Sequence, residues 1–257
     1  MGRRAGGGYR GRVTTDPGYA ELTFTECFNF RDVGGHRGLA GRPVRRGRLY
    51  RSDSLHRIEA DRETFLGLGI RTVVDLRRSA EVDRDGRVPA YDGLVYRHIE
   101  LKHRAWEEIP YDGRTELSDY LATRYLDMAE TGAASIATAL GVLADAGNAP
   151  VVVHCVAGKD RTGMICALTL ALLGVADTDI AADYARSTTG SERYTAWVRA
   201  QLPETETPPL SYFASPAAAM TGFLSGLRDR HGDIEAYARS AGVSADQLAA
   251  LRAHLLT

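Results

Sequence analysis

The sequence predicts an α/β fold, a central sheet flanked by helices and followed by a helical C-terminal part. Three observations predict it. Two short runs, Thr72-Val-Val-Asp75 and Pro150-Val-Val-Val-His154, are built around consecutive β-branched residues and read as buried strands. Up to residue 154, strand-like runs alternate with helix-like ones. From Thr162 onward almost every stretch carries helical periodicity.

In order along the chain, residues 1–18 are rich in Gly and Arg and read as a flexible tail, leaving 19–257 as a single domain. Leu22 to Thr25 and the following NFRDVGG read as a short strand running into a glycine turn. Gly47 to Leu55 looks like a strand followed by a helix start, with Ser54 as N-cap. Arg62 to Leu68 suits a short helix closed by Gly69. The Thr72 strand ends near Asp75, and Leu94 to Leu101 alternates as a further strand. Residues 116–131 and 133–146 read as helices, the second rich in Ala. Beyond the Pro150 strand, helices are expected near 162–173, 177–187, 190–201, 215–230, 233–241 and 244–255, broken by the low-complexity run Pro203 to Pro209. Residues 190–230 exceed what a catalytic core needs and are expected to include a helical lid. Tyr184, Tyr194, Trp197, Tyr212 and Phe213 would form its apolar underside or pack as ordinary core.

Composition narrows the class. The chain has 257 residues, a formal net charge of −1 and an ordinary hydrophobic fraction of 44%, too high for a disordered protein. Balanced charge gives no pull toward nucleic acid or an anionic membrane. Met164 to Leu173, the most apolar stretch, is far shorter than the ~20 residues of a membrane span. Three cysteines, Cys27, Cys155 and Cys166, are too few for a disulfide framework, and the N-terminus lacks an apolar signal region, so a cytoplasmic setting is expected. Of 32 basic residues only Lys102 and Lys159 are lysines, which draws attention to Lys159.

The chemistry concentrates in residues 150–174, an apolar strand, a tight loop and an apolar helix. Between Cys155 and Arg161 lie Val156, Ala157, Gly158, Lys159 and Asp160. A loop of that length closed onto a helix N-terminus points successive backbone N–H groups inward as a nest for a tetrahedral oxyanion. Arg161 adds a planar fork that holds two phosphate oxygens. Helix dipole, nest and guanidinium together favour the thiolate of Cys155, making it a nucleophile at neutral pH. Its attack on phosphorus gives a thiophosphate ester that water then hydrolyses. Thr162 is placed to donate a hydrogen bond to the sulfur and ease its departure, and His154 to brace the loop.

HCVAGKDRTG resembles the phosphate-binding loop of the cysteine-dependent C-x5-R protein tyrosine phosphatase superfamily. Together with NFRDVGG, GRLYRSDSL, LGIRTVVDLRRSAE and Asp183-Tyr184, it resembles the bacterial tyrosine/serine phosphatases of the mycobacterial protein tyrosine phosphatase B type, from about residue 22 onward. The resemblance implies a protein tyrosine phosphatase-like sheet and phosphomonoester hydrolysis without metal or cofactor. It implies a phosphorylated substrate: phosphotyrosine or phosphoserine protein, or phosphoinositide. A small phosphorylated metabolite is the alternative, and a non-catalytic phosphate-binding module a remote one. No nucleic acid and no stable membrane insertion are expected.

One part of the wider pattern is missing. The Trp-Pro-Asp segment that supplies the general acid in the main tyrosine phosphatases is absent, yet the leaving oxygen needs a proton. Asp160, in the loop's G-K-D-R run, is the first choice. Asp75, at a strand end facing the crevice of an open sheet, is the second. Asp112, in the loop after the 94–101 strand, is the third. Lys159 would add positive charge for a substrate with more than one phosphate. Cys166 reads as core. Cys27 would protect Cys155 as a disulfide only if the N-terminus folded back. Arg31, Asp32, Arg51 and Ser52 fit a buried network as well as ligand binding, and Arg77 is placed to frame the pocket.

Overall fold

A computed structural model describes residues 22, 24–201 and 213–257. Strands β1 (Arg31–Asp32), β2 (Leu49–Ser52), β3 (Thr72–Asp75), β4 (Val95–His98) and β5 (Val151–His154) form one sheet in the order β1-β2-β5-β3-β4. β1 runs antiparallel to β2, and the rest are parallel. Burial explains the choice of residues: β2, β3 and β5 are covered on both faces and consist largely of branched or aromatic side chains, whereas edge strand β4 is mostly exposed.

The sheet separates two cores of unequal size. Val74, Val151 and Val153 face the larger, built with helices α3 (Leu117–Thr131), α4 (Ala133–Ala144), α5 (Asp160–Leu172) and α6 (Asp177–Ala185). Val73 and Val152 face the smaller, filled by Phe24, Cys27, Phe30, Leu55, Ile58 and Phe65. The alternation of neighbouring valines between the two cores is the strand period of two made visible. Helix α5 runs through the larger core with nearly every residue buried, so it has no polar face to read.

Register places the site. Ser52 pairs with His154, His154 with Asp75, and Asp75 with His98, so these four residues form one row at the carboxyl ends of the parallel strands. The loops that follow open on the crevice where open α/β sheets bind ligands.

Several expectations need correction. The N-terminal strand shrinks to Arg31–Asp32, because Phe24, Cys27 and Phe30 leave the sheet to fill the smaller core. Ser54 precedes a 3-10 turn (Leu55–Asp61) but does not cap it, since its hydroxyl pairs with His56 Nδ1 at 2.8 Å. Helix α1 (Arg62–Gly67) is followed by Gly69 at φ +64°. A short helix, α2 (Ser79–Asp85), follows β3 where none was expected. Helix α5 begins at Asp160, two residues early, which puts Arg161 and Thr162 in its first turn.

The expected lid divides. Helix α7 (Ser187–Gln201) reaches the crevice, but α8 (Ala217–His231) buries Met220, Phe223 and Leu224 in the larger core and is no cover. Helices α9 (Ile234–Ala241) and α10 (Ala245–Leu255) complete that core, and Arg45 N–H donates to Leu255 O, tying the last helix to the segment before β2. The tail 1–18, the run 203–209 and Tyr212 lie outside the described residues. Among the described residues no helix is long and apolar enough to cross a membrane.

Candidate active site

Residues 155–159 join β5 to α5, and three of their carbonyls are tied from outside by three different segments. Ser54 N–H donates to Val156 O at 2.9 Å, Asn29 Nδ2 to Ala157 O at 3.0 Å, and Arg51 Nη2 to Gly158 O at 2.8 Å. In a trans peptide the N–H points opposite to the C=O. Holding these carbonyls outward therefore turns the amides of Ala157, Gly158 and Lys159 to the other side, toward the pocket. Gly158 is required here: its φ is +65°, and a Cβ would lie 2.4 Å from Ser52 O.

The outer ties are themselves braced. Asp183 Oδ2 accepts from Arg51 Nη1 at 2.7 Å and Oδ1 from Arg31 Nε at 2.8 Å. Burial disfavours the Asp183 carboxylate, but the two guanidiniums outweigh it and hold its pKa far below the ordinary carboxylate range. Asp53 Oδ1 accepts from the N–H groups of Phe28 and Asn29, fixing the turn that carries the Asn29 amide. Arg31, Arg51 and Ser52 are thus buried behind the loop rather than open to ligand.

At the floor lie Cys155, 2% exposed, and Arg161, 6% exposed. Both line a cavity of ≈ 270 Å³ with Val156, Ala157, Lys159 and Asp160. Glu81 holds Arg161 at two points, Nη1 to Oε2 at 2.6 Å and Nη2 to Oε1 at 3.1 Å. Burial works against the Arg161 charge, but Cys155 and Glu81 outweigh it and raise its pKa above the ordinary arginine value. Glu81 sits in the first turn of α2, where its carboxylate also accepts from the Arg78 N–H at 2.7 Å. Burial disfavours this charge too, and the Arg161 bonds hold the Glu81 pKa below its usual range.

The three proposed acids occupy different settings. Asp160 lines the cavity, its Oδ1 accepts from Tyr125 Oη at 2.5 Å, and Lys159 Nζ forms an ion pair with the same oxygen at 3.0 Å. Asp75 does not reach the crevice. It is 0% exposed, clamped by Arg77 Nη2 at 2.7 Å and Tyr96 Oη at 2.9 Å, with His154 Nε2 at 3.5 Å. Burial opposes its charge, but His154 and Arg77 bring its pKa down to about 2, the opposite of what an acid needs. Arg77 in turn donates to Gly86 O at 2.8 Å, so Asp75 anchors the far end of α2. Asp112 lies on the exposed surface beside Arg114; Trp106 and Glu107 are the residues of its loop that reach the cavity.

Other expectations resolve in the same way. His154 is fully buried behind the loop, with Nδ1 3.2 Å from Cys155 O, and burial lowers its pKa against the opposing pull of the Asp75 carboxylate. Thr162 Oγ1 is buried and makes no hydrogen bond among the described residues, Cys155 included. Lys159 turns its ammonium to Asp160 and to Ala214 O at 3.2 Å rather than outward. Cys27 and Cys166 are free thiols, Cys27 in the smaller core and Cys166 on buried α5. The walls carry the aromatic residues Phe28, Tyr194, Trp106 and Phe213, with Arg57, Arg78 and Arg84 interleaved with Asp85 and Glu107. Arg57 lies 5.7 Å from the Tyr194 ring centroid and 5.5 Å from that of Trp197.

Sequence reading missed Glu81, Tyr125, Asp53 and Trp106. A signal existed for Glu81: a helix after a buried parallel strand starts at the same sheet edge, and Glu81 stands four residues past Arg77. Among the described residues no group of three or more His, Cys, Asp or Glu side chains is placed to hold a metal ion.

A family model of tyrosine phosphatases matches residues 22–257. The chain belongs to the tyrosine phosphatase family. It is 30% identical to the Triple specificity protein phosphatase PtpB of Mycobacterium tuberculosis, over 90% of this chain and 97% of that protein. A Cupriavidus necator protein provisionally named a tyrosine-protein phosphatase is 31% identical over 93% of this chain and 89% of its own. A tyrosine-protein phosphatase of Nostoc commune is 27% identical over 77% and 70%. This phosphatase is accordingly a phosphoric monoester hydrolase with a phosphorylated substrate.

Proposed function

We propose that this phosphatase acts through a covalent phosphate ester on Cys155, on phosphotyrosine and phosphoserine side chains of proteins or on phosphoinositides. The observation that carries the reading is the meeting of Cys155 and a two-point-held Arg161 at the floor of one cavity, under a loop whose carbonyls are tied outward. The amides of residues 156–161 and the Arg161 fork would hold the three non-bridging phosphate oxygens. The Cys155 sulfur forms a bond to phosphorus as the bond from phosphorus to the leaving oxygen breaks, and Asp160 gives that oxygen its proton. Water then attacks phosphorus, passes a proton to Asp160, and the S–P bond breaks to release phosphate. Thr162, whose buried hydroxyl has no hydrogen-bond partner among the described residues, is assigned to the departing thiolate.

The aromatic walls support an aryl ring above the phosphate, hence phosphotyrosine first. The ion pair of Lys159 with Asp160 narrows its support for substrates with several phosphates. The test is phosphate release from phosphotyrosine peptide, phosphoserine peptide, phosphoinositides, sugar phosphates and nucleotides. Cys155→Ser should abolish turnover while phosphate still binds, and EDTA should change nothing. Turnover surviving Cys155→Ser, or lost to EDTA, refutes the mechanism; turnover confined to one sugar phosphate or nucleotide refutes the substrate class. Asp160→Asn should slow phenyl phosphate far more than 4-nitrophenyl phosphate, whose leaving oxygen needs little protonation, by about 100-fold against a few-fold.

A further inference from the structure

We infer that Tyr125, backed by Tyr184, is the positioning residue for Asp160. The two phenols fix one carboxyl oxygen so that the other presents its proton to the leaving group. The inference rests on Asp160 as general acid and adds what orients it. Tyr125 and Tyr184 are buried in the larger core, where a hydroxyl is costly unless it has a partner. Tyr125 Oη lies 2.5 Å from Asp160 Oδ1 and 2.6 Å from Tyr184 Oη. A carboxylate only accepts, so Tyr125 must donate to Asp160, and Tyr184, the remaining donor, gives its proton to Tyr125. Lys159 Nζ stands 3.0 Å from the same Oδ1, so that oxygen faces a donor and a cation, and the acid's proton belongs on Oδ2.

The phenols do not exchange protons with substrate. Burial first, and the Asp160 charge second, raise both tyrosine pKa values, keeping them neutral donors. Their rings are fixed by packing: Tyr125 meets Tyr184 edge-on at 82° and Phe223 of α8 at 89°. The carboxyl of a loop-side residue is therefore aimed by helices α3 and α6.

The experiment is a double-mutant cycle read on two substrates. Tyr125→Phe keeps the ring and removes the donor. It should lower kcat on phenyl phosphate about tenfold, part of the ~10²–10⁴ that a general acid supplies, with KM within about twofold. On 4-nitrophenyl phosphate the change should stay below about threefold. Tyr125→Phe/Asp160→Asn should be no slower than Asp160→Asn alone. Equal loss on both substrates, or multiplied losses in the double variant, overturns the inference. If Asp160→Asn itself fails to discriminate the substrates, the acid assignment falls first and visibly. Tyr184→Phe, which leaves Tyr125 in place, should show the same pattern at smaller amplitude. It decides the question if melting shows that Tyr125→Phe does not fold.

Discussion

Glu81 and Arg161 sit eighty residues apart in the chain and two hydrogen bonds apart in space. In the proposed mechanism the carboxylate fixes the plane of the guanidinium before any phosphate arrives, so the fork is oriented in advance. Glu81→Gln tests this, because an amide offers one acceptor and turns a donor against an Arg161 N–H. kcat/KM should drop roughly 10- to 100-fold, and phosphate should inhibit more weakly. Unaltered kinetics would mean that Arg161 finds its plane without help. The same pair shows what was legible at this scale. Cys155 and Arg161 declare themselves because ten contiguous residues carry strand end, nest and helix start. Glu81 and Tyr125 act across tertiary distances that spacing does not encode. Asp75 misleads for a different reason: its strand-end position is visible in the sequence, whereas the side it faces, toward Arg77 and Tyr96, is set by register.

Helix α7 meets the Phe28–Asn29 turn at Gly190, where an added Cβ would lie 2.9 Å from Phe28 O and 3.0 Å from Asn29 Cβ. This contact seats the helix on the turn whose Asn29 amide holds the 155–159 loop. Gly190→Val should push α7 outward and strain the turn, costing about 1–3 kcal/mol in stability. KM should rise more than kcat falls, because the aromatic wall that includes Tyr194 retreats from the substrate. Denaturant titration and steady-state kinetics read both effects; a KM that holds steady would separate α7 from substrate binding. Legibility follows burial at this scale. Strands β3 and β5 are plain because branched residues fill them. The first turn of α5 reads as loop because Asp160 follows Gly158 and Lys159 and shares their loop composition while already in the helix. Helix α8 reads as a spare cover because its contacts with α3 and α6 are long-range.

For the whole molecule, the buried carboxylates Asp75 and Asp183 tie the carboxyl end of the sheet to the segments around it. Both have folded pKa values below the unfolded value near 3.8, so each contributes stability that is complete above about pH 4–5 and fades as acid protonates it. The Asp75 share should vanish as pH falls from about 4 toward 2. Urea midpoints measured from pH 7 to pH 2 should show that decline, shallower in Asp75→Asn; a flat profile would refute it. The α/β class and the helical second half were readable from periodicity alone. The unequal cores were not, because nothing local tells which valine faces which side. The Arg31–Asp183–Arg51 cluster has a consequence for how the protein is born. Its partners are separated by 152 and 132 residues, and Arg51 reaches Gly158 over 107. A ribosome that has delivered the entire Cys155–Arg161 run has not yet delivered Asp183. The 155–159 loop of the nascent chain therefore lacks its Asp183 brace until α6 has been made, and the late half of the chain completes the support of the early one.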